Sequence, residues 1–237
     1  MSLNLELKNL KFLINSGISV FIQDIPNSIY KIKKEQKKNN FDLHIDNISD
    51  IQNLAELKAF IINSNACALK KNALQAVFAD GNPSSKIMLV GEAPGADEDK
   101  YGIPFVGRAG QLLDKMLSAI GLDRKKVYIS NVIPWRPPGN RQPTNEEILQ
   151  CLPFIQKHIE IINPFILILL GGTAAKALLT TSQGITKLRG KWHQYNSLGL
   201  SYPIITRAIF HPAFLLRSPE YKKQTWEDLL EIQKKIK

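Results

Sequence analysis

Short apolar runs rich in β-branched residues recur along the chain, and turn residues follow each of them. The runs are residues 87–90, 127–132, 165–170 and 204–210. Runs of this length without polar alternation are typical of parallel strands that are buried on both faces. The pattern therefore predicts four strands in one parallel sheet.

Between these runs, apolar positions recur every three to four residues, which is the spacing of amphipathic helices. The clearest cases are residues 111–120 and 146–162. Thr144 and Glu147 have the spacing of a capping box at the start of the second helix. Alternation of strands and helices indicates an α/β fold with helices on both faces of the sheet.

The first part of the chain has a different character. Residues 31–40 contain five Lys, one Glu and one apolar residue, and they form either a solvated linker or a basic arm that touches DNA. Residues 47–63 show helical spacing and are expected to pack on the main domain. We therefore predict an N-terminal helical extension over residues 1–63, with a basic linker at 31–40, and a main domain over residues 64–237.

The charge balance favours a polyanionic partner, because 31 Lys and Arg against 21 Asp and Glu give a net charge of +10. Two Cys make no disulfide framework and fit a reducing compartment. The N-terminus lacks the pattern of a signal peptide, and no apolar stretch approaches the ~20 residues of a membrane span. We expect a cytoplasmic protein of bacterial type that associates with the nucleoid and not with a membrane.

Polar residues and loops rich in Gly and Pro follow the predicted strands. These segments are residues 91–95, 102–107, 135–141 and 211–217, together with Asn131 at the end of the second strand. Ligands bind at the carboxyl ends of strands in open α/β sheets, so we expect the active site there. No GxxxxGK[ST] motif is present, which excludes a nucleotide-binding P-loop. The Gly-Gly-Thr turn at residues 171–173 is either a phosphate site or a tight strand-to-helix turn.

Four motifs in this order carry a family resemblance: GEAPGADEDKYGIPFVGRAGQLLD, NVIPWRPPGNR, ITKLRGKW and HPAFLLR. They resemble the motifs of family 4 uracil-DNA glycosylases, over about residues 67–219. The resemblance implies a three-layer α-β-α sandwich with a central four-stranded, mainly parallel sheet. It also implies a monomer that releases uracil from single- or double-stranded DNA, leaving an abasic site for downstream processing enzymes.

The resemblance assigns a binding pocket for uracil to residues of the first two motifs. Phe105 is similar to the family's aromatic platform, although an ordinary core Phe is the alternative. Asn131 can accept from uracil N3–H and donate to O4, unless it is a structural cap. Glu98 matches the carboxylate that crowds the C5 edge, or else belongs to a solvated acidic run. Gly91 and Ala93 complete the predicted pocket.

Two residues are predicted to act in catalysis. His211, on a Pro-flanked loop, is expected to donate to uracil O2 as negative charge develops on the departing base. Glu92 is the candidate to orient the attacking water, because Ala93 stands where some related glycosylases carry Asp. Alternatively, Glu92 is a turn carboxylate bonded to backbone amides.

The remaining motif residues resemble parts that contact DNA. Pro137, Pro138 and Gly139 resemble a loop that pinches the strand backbone, and Arg136 beside them is also predicted to bind DNA. The last motif resembles a wedge that enters the minor groove where the base leaves. Its predicted DNA-contacting residues are Pro212, Leu215, Leu216 and Arg217. Phe214 and one of the two leucines are alternatively core residues.

Members of the family typically bind a [4Fe-4S] cluster through four Cys, the usual ligand number for such a cluster. Cys67 and Cys151 match two of these places, and Ser64 and Trp135 occupy the other two. We therefore expect neither a cluster nor another metal cofactor.

Two other functions fit the same motifs. One is a catalytically weak module that binds uracil or DNA, which Ala93 favours. The other is a glycosylase of the same superfamily that prefers a different deaminated base.

Overall fold

The computed structural model describes residues 48–236. Its strands are β1 (Asp80–Gly81), β2 (Ile87–Gly91), β3 (Tyr128–Asn131), β4 (Ile166–Leu170), β5 (Trp192–Tyr195) and β6 (Ile204–Ile209). Its α-helices are α1 (Leu54–Asn63), α2 (Ala96–Tyr101), α3 (Arg108–Ala119), α4 (Asn145–Ile162), α5 (Gly172–Leu178), α6 (Ile185–Leu188), α7 (Pro212–Arg217) and α8 (Lys222–Ile236). Short 3₁₀ turns separate several of them.

The strands form one sheet in the order β1-β3-β2-β4-β6-β5. The four predicted strands are its parallel centre. The expectation of only four strands is corrected, because β1 and β5 add an antiparallel strand at each edge. Strand β1 has two residues and β5 is only partly buried, so neither produces the continuous apolar run of a central strand.

Side chains of each central strand alternate between two hydrophobic cores. On β2, Met88 and Val90 enter one core, while Ile87 and Leu89 enter the other. The first core also contains buried residues of α1, α4 and α5, and the second contains those of α3, α7 and α8. Because helices cover both faces, the expected three-layer α-β-α sandwich is confirmed.

The helices predicted over residues 111–120 and 146–162 are found within three residues, as α3 and α4, whereas α1 covers only Leu54–Asn63 of the predicted 47–63. Thr144 caps α4 as predicted: its hydroxyl accepts from the Glu147 amide at 3.2 Å, and the Glu147 carboxylate accepts from the Thr144 amide at 2.8 Å. Helix α1 begins at Leu54 because the Asn53 side chain accepts from the Glu56 amide at 2.9 Å. The basic linker lies outside the described residues, and the domain boundary after residue 63 stays a prediction.

A buried ion-pair network attaches the C-terminal helix α8 to the sheet. Asp228 is fully buried and accepts from Arg207 Nη2 and from Arg189 Nε, each at 2.8 Å. It also accepts from the Gly190 amide at 3.1 Å. Two guanidinium groups and a backbone amide thus compensate a carboxylate that is removed from water. Within residues 48–236, none of the helices has the length and apolar character needed to cross a membrane.

His158 of α4 is buried under the sheet in a neutral state. Its Nε2 lies 2.8 Å from the Tyr128 hydroxyl, and its ring stacks on Phe78 with the centroids 4.4 Å apart. Burial lowers the pKa of His158 to about 3. The unfolded chain, in which histidine has a pKa near ~6.5, therefore binds one more proton than the folded chain between these two values.

We expect acid to destabilise the protein through His158. Its folded pKa is depressed, so its contribution to stability is complete above about pH 6.5 and is lost as the pH falls towards the folded value. Urea unfolding at several pH values checks this against His158→Gln. The slope of unfolding free energy against pH should be lower in the variant by ~1.4 kcal/mol per pH unit between about pH 4 and 6. Equal slopes would assign the acid sensitivity to other groups.

Candidate active site

A cavity of about 660 Å³ opens at the carboxyl ends of the parallel strands. This is where ligands bind in open α/β sheets. The predicted residues that line it are Glu92, Ala93, Glu98, Phe105, Asn131, Pro137, His211 and Arg217. The fold thus collects residues of three sequence motifs around one space.

Asn131 ends strand β3 and lies beside Gly91, which ends strand β2. The Asn131 Oδ1 atom is buried, and no hydrogen-bond partner for it is found in the described part of the chain. A Cβ atom at Gly91 would overlap both this oxygen and the ring of Phe105. Gly91 therefore provides the space in which the amide and the ring face the cavity, and Oδ1 is an acceptor available to a ligand.

Phe105 lines the cavity and is also part of the second core, with only 5% of the residue exposed. Its ring centroid lies 5.6 Å from that of His211, with the two rings inclined by 31°. Its backbone has φ of 56°, in the left-handed region that a bulky side chain rarely adopts. Such outliers persist only where the surroundings fix them, and they cluster at functional sites.

The Glu98 carboxylate is engaged by the loop around it. Its Oε2 accepts from the Gly95 amide at 3.0 Å, and its Oε1 accepts from the amides of Val106 and Gly107 at 3.0 and 2.9 Å. The carboxylate still borders the cavity, so its predicted place at the C5 edge of a base stays a prediction. Its contacts give it a second role, which is to hold the loop that follows Phe105.

The His211 imidazole is oriented with one nitrogen towards its own helix. As the N-cap of α7, it accepts from the Ala213 amide on Nδ1 at 3.1 Å. Burial, assisted by the positive charge of Arg217, lowers the pKa of His211 to about 4. The ring is therefore neutral at pH 7, and its single proton is on Nε2, because Nδ1 is already an acceptor.

Glu92 has a partner that sequence reasoning missed. The hydroxyl of Thr173 donates to Glu92 Oε2, and both side chains line the cavity. Thr173 follows Gly171, whose φ of 95° makes the strand-to-helix turn, and a Cβ atom at Gly171 would crowd His211. A hydroxyl directly after a strand end was the available sequence signal. The contact fixes the rotamer of the Glu92 carboxylate.

The loop after β3 reaches the rim of the cavity. Pro137 lines the cavity, while Pro138 is exposed beside it. Arg136 Nε donates to Asn140 Oδ1 at 2.7 Å, and its Nη1 lies 3.9 Å from the Asp99 carboxylate. The guanidinium thus braces this loop internally, and its predicted contact with DNA stays a prediction.

Two of the residues predicted to contact DNA are buried. Leu215 is 1% exposed and packs in the core beneath α7, and Pro212 is buried at the first position of that helix. Leu215 belongs to the second core, so its burial is an argument against its insertion into a groove of DNA. Leu216 is 38% exposed and Arg217 is exposed next to it, so these two remain the candidates for a wedge.

The four places that match cluster ligands do not fit a [4Fe-4S] cluster. Trp135 is 1% exposed and packs edge-on against Phe154, and its indole nitrogen cannot ligate a metal. The Ser64 hydroxyl accepts from the Ala66 amide at 3.1 Å. A hydrogen bond from the Cys151 thiol lowers the pKa of Cys67 and raises the pKa of Cys151.

Further metal sites are also lacking in the part of the chain that the structure describes. No group of three or more His, Cys, Asp or Glu side chains is placed there to hold a metal ion.

We expect the purified protein to contain no [4Fe-4S] cluster, since its irons are normally held by four thiolates. Anaerobic purification followed by a visible spectrum and iron analysis checks this. The double variant Ser64→Cys/Trp135→Cys, reconstituted in parallel, is the comparison because it restores four thiols. About four irons per chain in the unmodified protein would contradict the expectation.

Comparisons with known proteins agree with this geometry. A family model described as the uracil DNA glycosylase superfamily matches residues 78–230. A type-4 uracil-DNA glycosylase from Thermotoga maritima is 43% identical over 175 residues, which cover 73% of this chain and 88% of the relative.

Two further proteins of the same description match this chain over a similar length. The one from Pyrobaculum aerophilum is 40% identical over 76% of this chain and 91% of its own length. The one from Sulfurisphaera tokodaii is 39% identical over 77% of this chain and 84% of its own length. With the family model matched across the sheet and the cavity, this chain belongs to the uracil-DNA glycosylase superfamily.

Proposed function

We propose that this protein is a monofunctional DNA glycosylase that hydrolyses the N-glycosidic bond of deoxyuridine, releasing uracil and leaving an abasic site. The observation that carries the proposal is the buried, unpartnered Oδ1 of Asn131, which lies in the same cavity as Phe105 and His211. A buried acceptor without a partner is costly unless a ligand supplies the donor. The names of the matching relatives support the same activity.

Uracil complements this pocket in its hydrogen bonds. Its N3–H donates to Asn131 Oδ1, and its O4 accepts from the Asn131 amide nitrogen, while the base stacks on Phe105. Cytosine presents an acceptor at N3 and a donor at N4, so both contacts are reversed. The amide therefore selects uracil among the pyrimidines that lack a C5 methyl group.

The leaving group is stabilised by a neutral histidine. Cleavage of the bond between C1′ and N1 leaves the bonding electron pair on uracil, and the charge spreads onto O2. The Nε2–H of His211 donates to that oxygen. Because this donor is fixed by the Ala213 amide before the reaction, it requires no reorganisation as charge develops.

Water must then add to the cationic sugar. Glu92, held by Thr173, orients a water molecule towards C1′ and accepts its proton after the bond forms. Ala93 offers no second carboxylate, so the departing base and one carboxylate share the electrostatic stabilisation of the sugar cation.

DNA reaches the cavity with the target base turned out of the stack. Pro137 and Pro138 border the entrance on one side, and Leu216 and Arg217 are exposed on the other. The net charge of +10 favours the phosphate backbone. We further propose that the enzyme works as a monomer on single- or double-stranded DNA in the cytoplasm, at the nucleoid, and that abasic-site processing enzymes follow it.

A cleavage assay tests the proposal. Oligonucleotides with a single uracil, hypoxanthine or xanthine are incubated with the protein, once with EDTA and once without it. The abasic sites that form are then cleaved with alkali. Release of uracil above the other two bases, unaffected by EDTA, is the expected result. Preferential release of hypoxanthine or xanthine would indicate a different base specificity. Binding without release of any base would indicate a catalytically weak module.

A further inference from the structure

We propose that Arg124, which does not line the cavity, is a positioning residue that holds Phe105 in its left-handed conformation. The inference rests on the proposed function, since it concerns the surface on which the extruded base stacks. The conformation of Phe105 needs an explanation, because an aromatic residue at φ of 56° is unfavourable by itself.

Arg124 lies in the 3₁₀ turn before β3 and contacts the backbone of the Phe105 turn. Its Nη2 donates to the Phe105 carbonyl, and its Nη1 donates to the Pro104 carbonyl at 3.2 Å. Two successive carbonyls therefore point at one planar guanidinium. The orientation of these peptide groups determines φ and ψ at Phe105, and hence the direction of its ring.

Two carboxylates hold the guanidinium itself. Asp80 of β1 accepts from Nη1 at 2.6 Å, and Asp114 of α3 accepts from Nε at 2.8 Å. The Arg124 side chain is only 26% exposed. The short edge strand β1 thus contributes to the site indirectly, because it carries Asp80. An ammonium group in place of the guanidinium lacks the rigid fork that serves two carbonyls and two carboxylates together.

The other side of the turn is held as well. The amides of Val106 and Gly107 donate to Glu98, so the peptide groups on both sides of Phe105 have fixed partners. Gly110 of α3 permits this packing, because a Cβ atom there would overlap the Phe105 carbonyl. Arg124 and Glu98 together form a clamp around the turn. Arg124 does not line the active-site cavity, so any effect that it has on the reaction is indirect, and the Phe105 carbonyl is its contact with a residue that does line it.

The experiment combines Arg124→Met with Phe105→Ala. Base stacking on an aromatic ring contributes about tenfold in binding, so Arg124→Met should weaken inhibition by free uracil about tenfold and lower kcat/KM similarly. In the Phe105→Ala background, Arg124→Met should cause no further loss of either quantity, although it should lower Tm in both backgrounds. Arg124→Lys should recover the uracil affinity only partly.

Two further measurements keep the outcome unambiguous. Asp228→Asn, which weakens the buried network of α8, should lower Tm without changing inhibition by uracil. Hydrogen exchange of the peptide that contains Val106 and Gly107 needs no substrate, and it should become faster in Arg124→Met even if the protein released no uracil. Unchanged exchange, or an equal loss of kcat/KM with and without the Phe105 ring, would overturn the inference.

Discussion

His211→Ala is expected to lower the single-turnover rate of uracil release by roughly 10²–10³-fold, the usual loss for one preorganised oxyanion donor. The geometry supports a loss of this size, because the half-buried donor lines the cavity and its orientation is fixed by the Ala213 amide. Affinity for DNA that contains an abasic product analogue should change little, since the bond to O2 strengthens only as the base departs.

The pH dependence distinguishes a neutral donor from a cationic one. The pKa of His211 lies near 4, so the rate should show no histidine titration between about pH 5 and 8. His193→Ala is the matched control. Its Nε2 lies 2.8 Å from the Leu188 carbonyl, outside the cavity, and the rate should be unchanged. If His211→Ala left the single-turnover rate unchanged, the hydrogen-bond donor to O2 would have to be another group.

The sequence predicts the centre of this fold well because local patterns determine it. Central strands are apolar on both faces, and the four runs match β2, β3, β4 and β6. The edge strands could not be found in the same way. Strand β1 has two residues, and it exists because it pairs with β3, which is a long-range contact.

The active site likewise has features that local sequence patterns predict and features that depend on how the chain packs. Polar residues at strand ends predicted that Asn131 and His211 would share a cavity, since parallel strands end at one edge. Which of two neighbouring residues on one helix is buried is harder to predict. Leu215 and Leu216 are the same residue type, and only the packing of α7 shows that the first is buried and the second exposed. In the sequence, Arg124 is one of three consecutive basic residues, and nothing local predicts its contact with Phe105, which forms only when the chain folds.

Asn131→Asp is expected to reduce uracil release by roughly 10²-fold and to produce a weak release of cytosine. While the introduced carboxylate is ionised, at the higher pH of the assay, uracil O4 faces an oxygen in place of an amide donor, which removes one hydrogen bond and adds a repulsive contact. A loss of ~3 kcal/mol from these two effects corresponds to that factor.

Cytosine gains what uracil loses. In the Asn131→Asp variant, the protonated carboxylic acid can donate to cytosine N3 and accept from its N4 amine, whereas the amide of Asn131 opposes both groups. Lowering the pH increases the share of the protonated acid, so cytosine release should increase, and the loss of uracil release should shrink, as the pH is lowered. Single-turnover assays on matched uracil and cytosine oligonucleotides at two pH values measure these two rates of base release.

Asn145→Asp is the control, because it makes the same chemical change on the exposed start of α4 and should alter neither rate. If Asn131→Asp released uracil at the unmodified rate at the higher pH, another group would have to recognise the base.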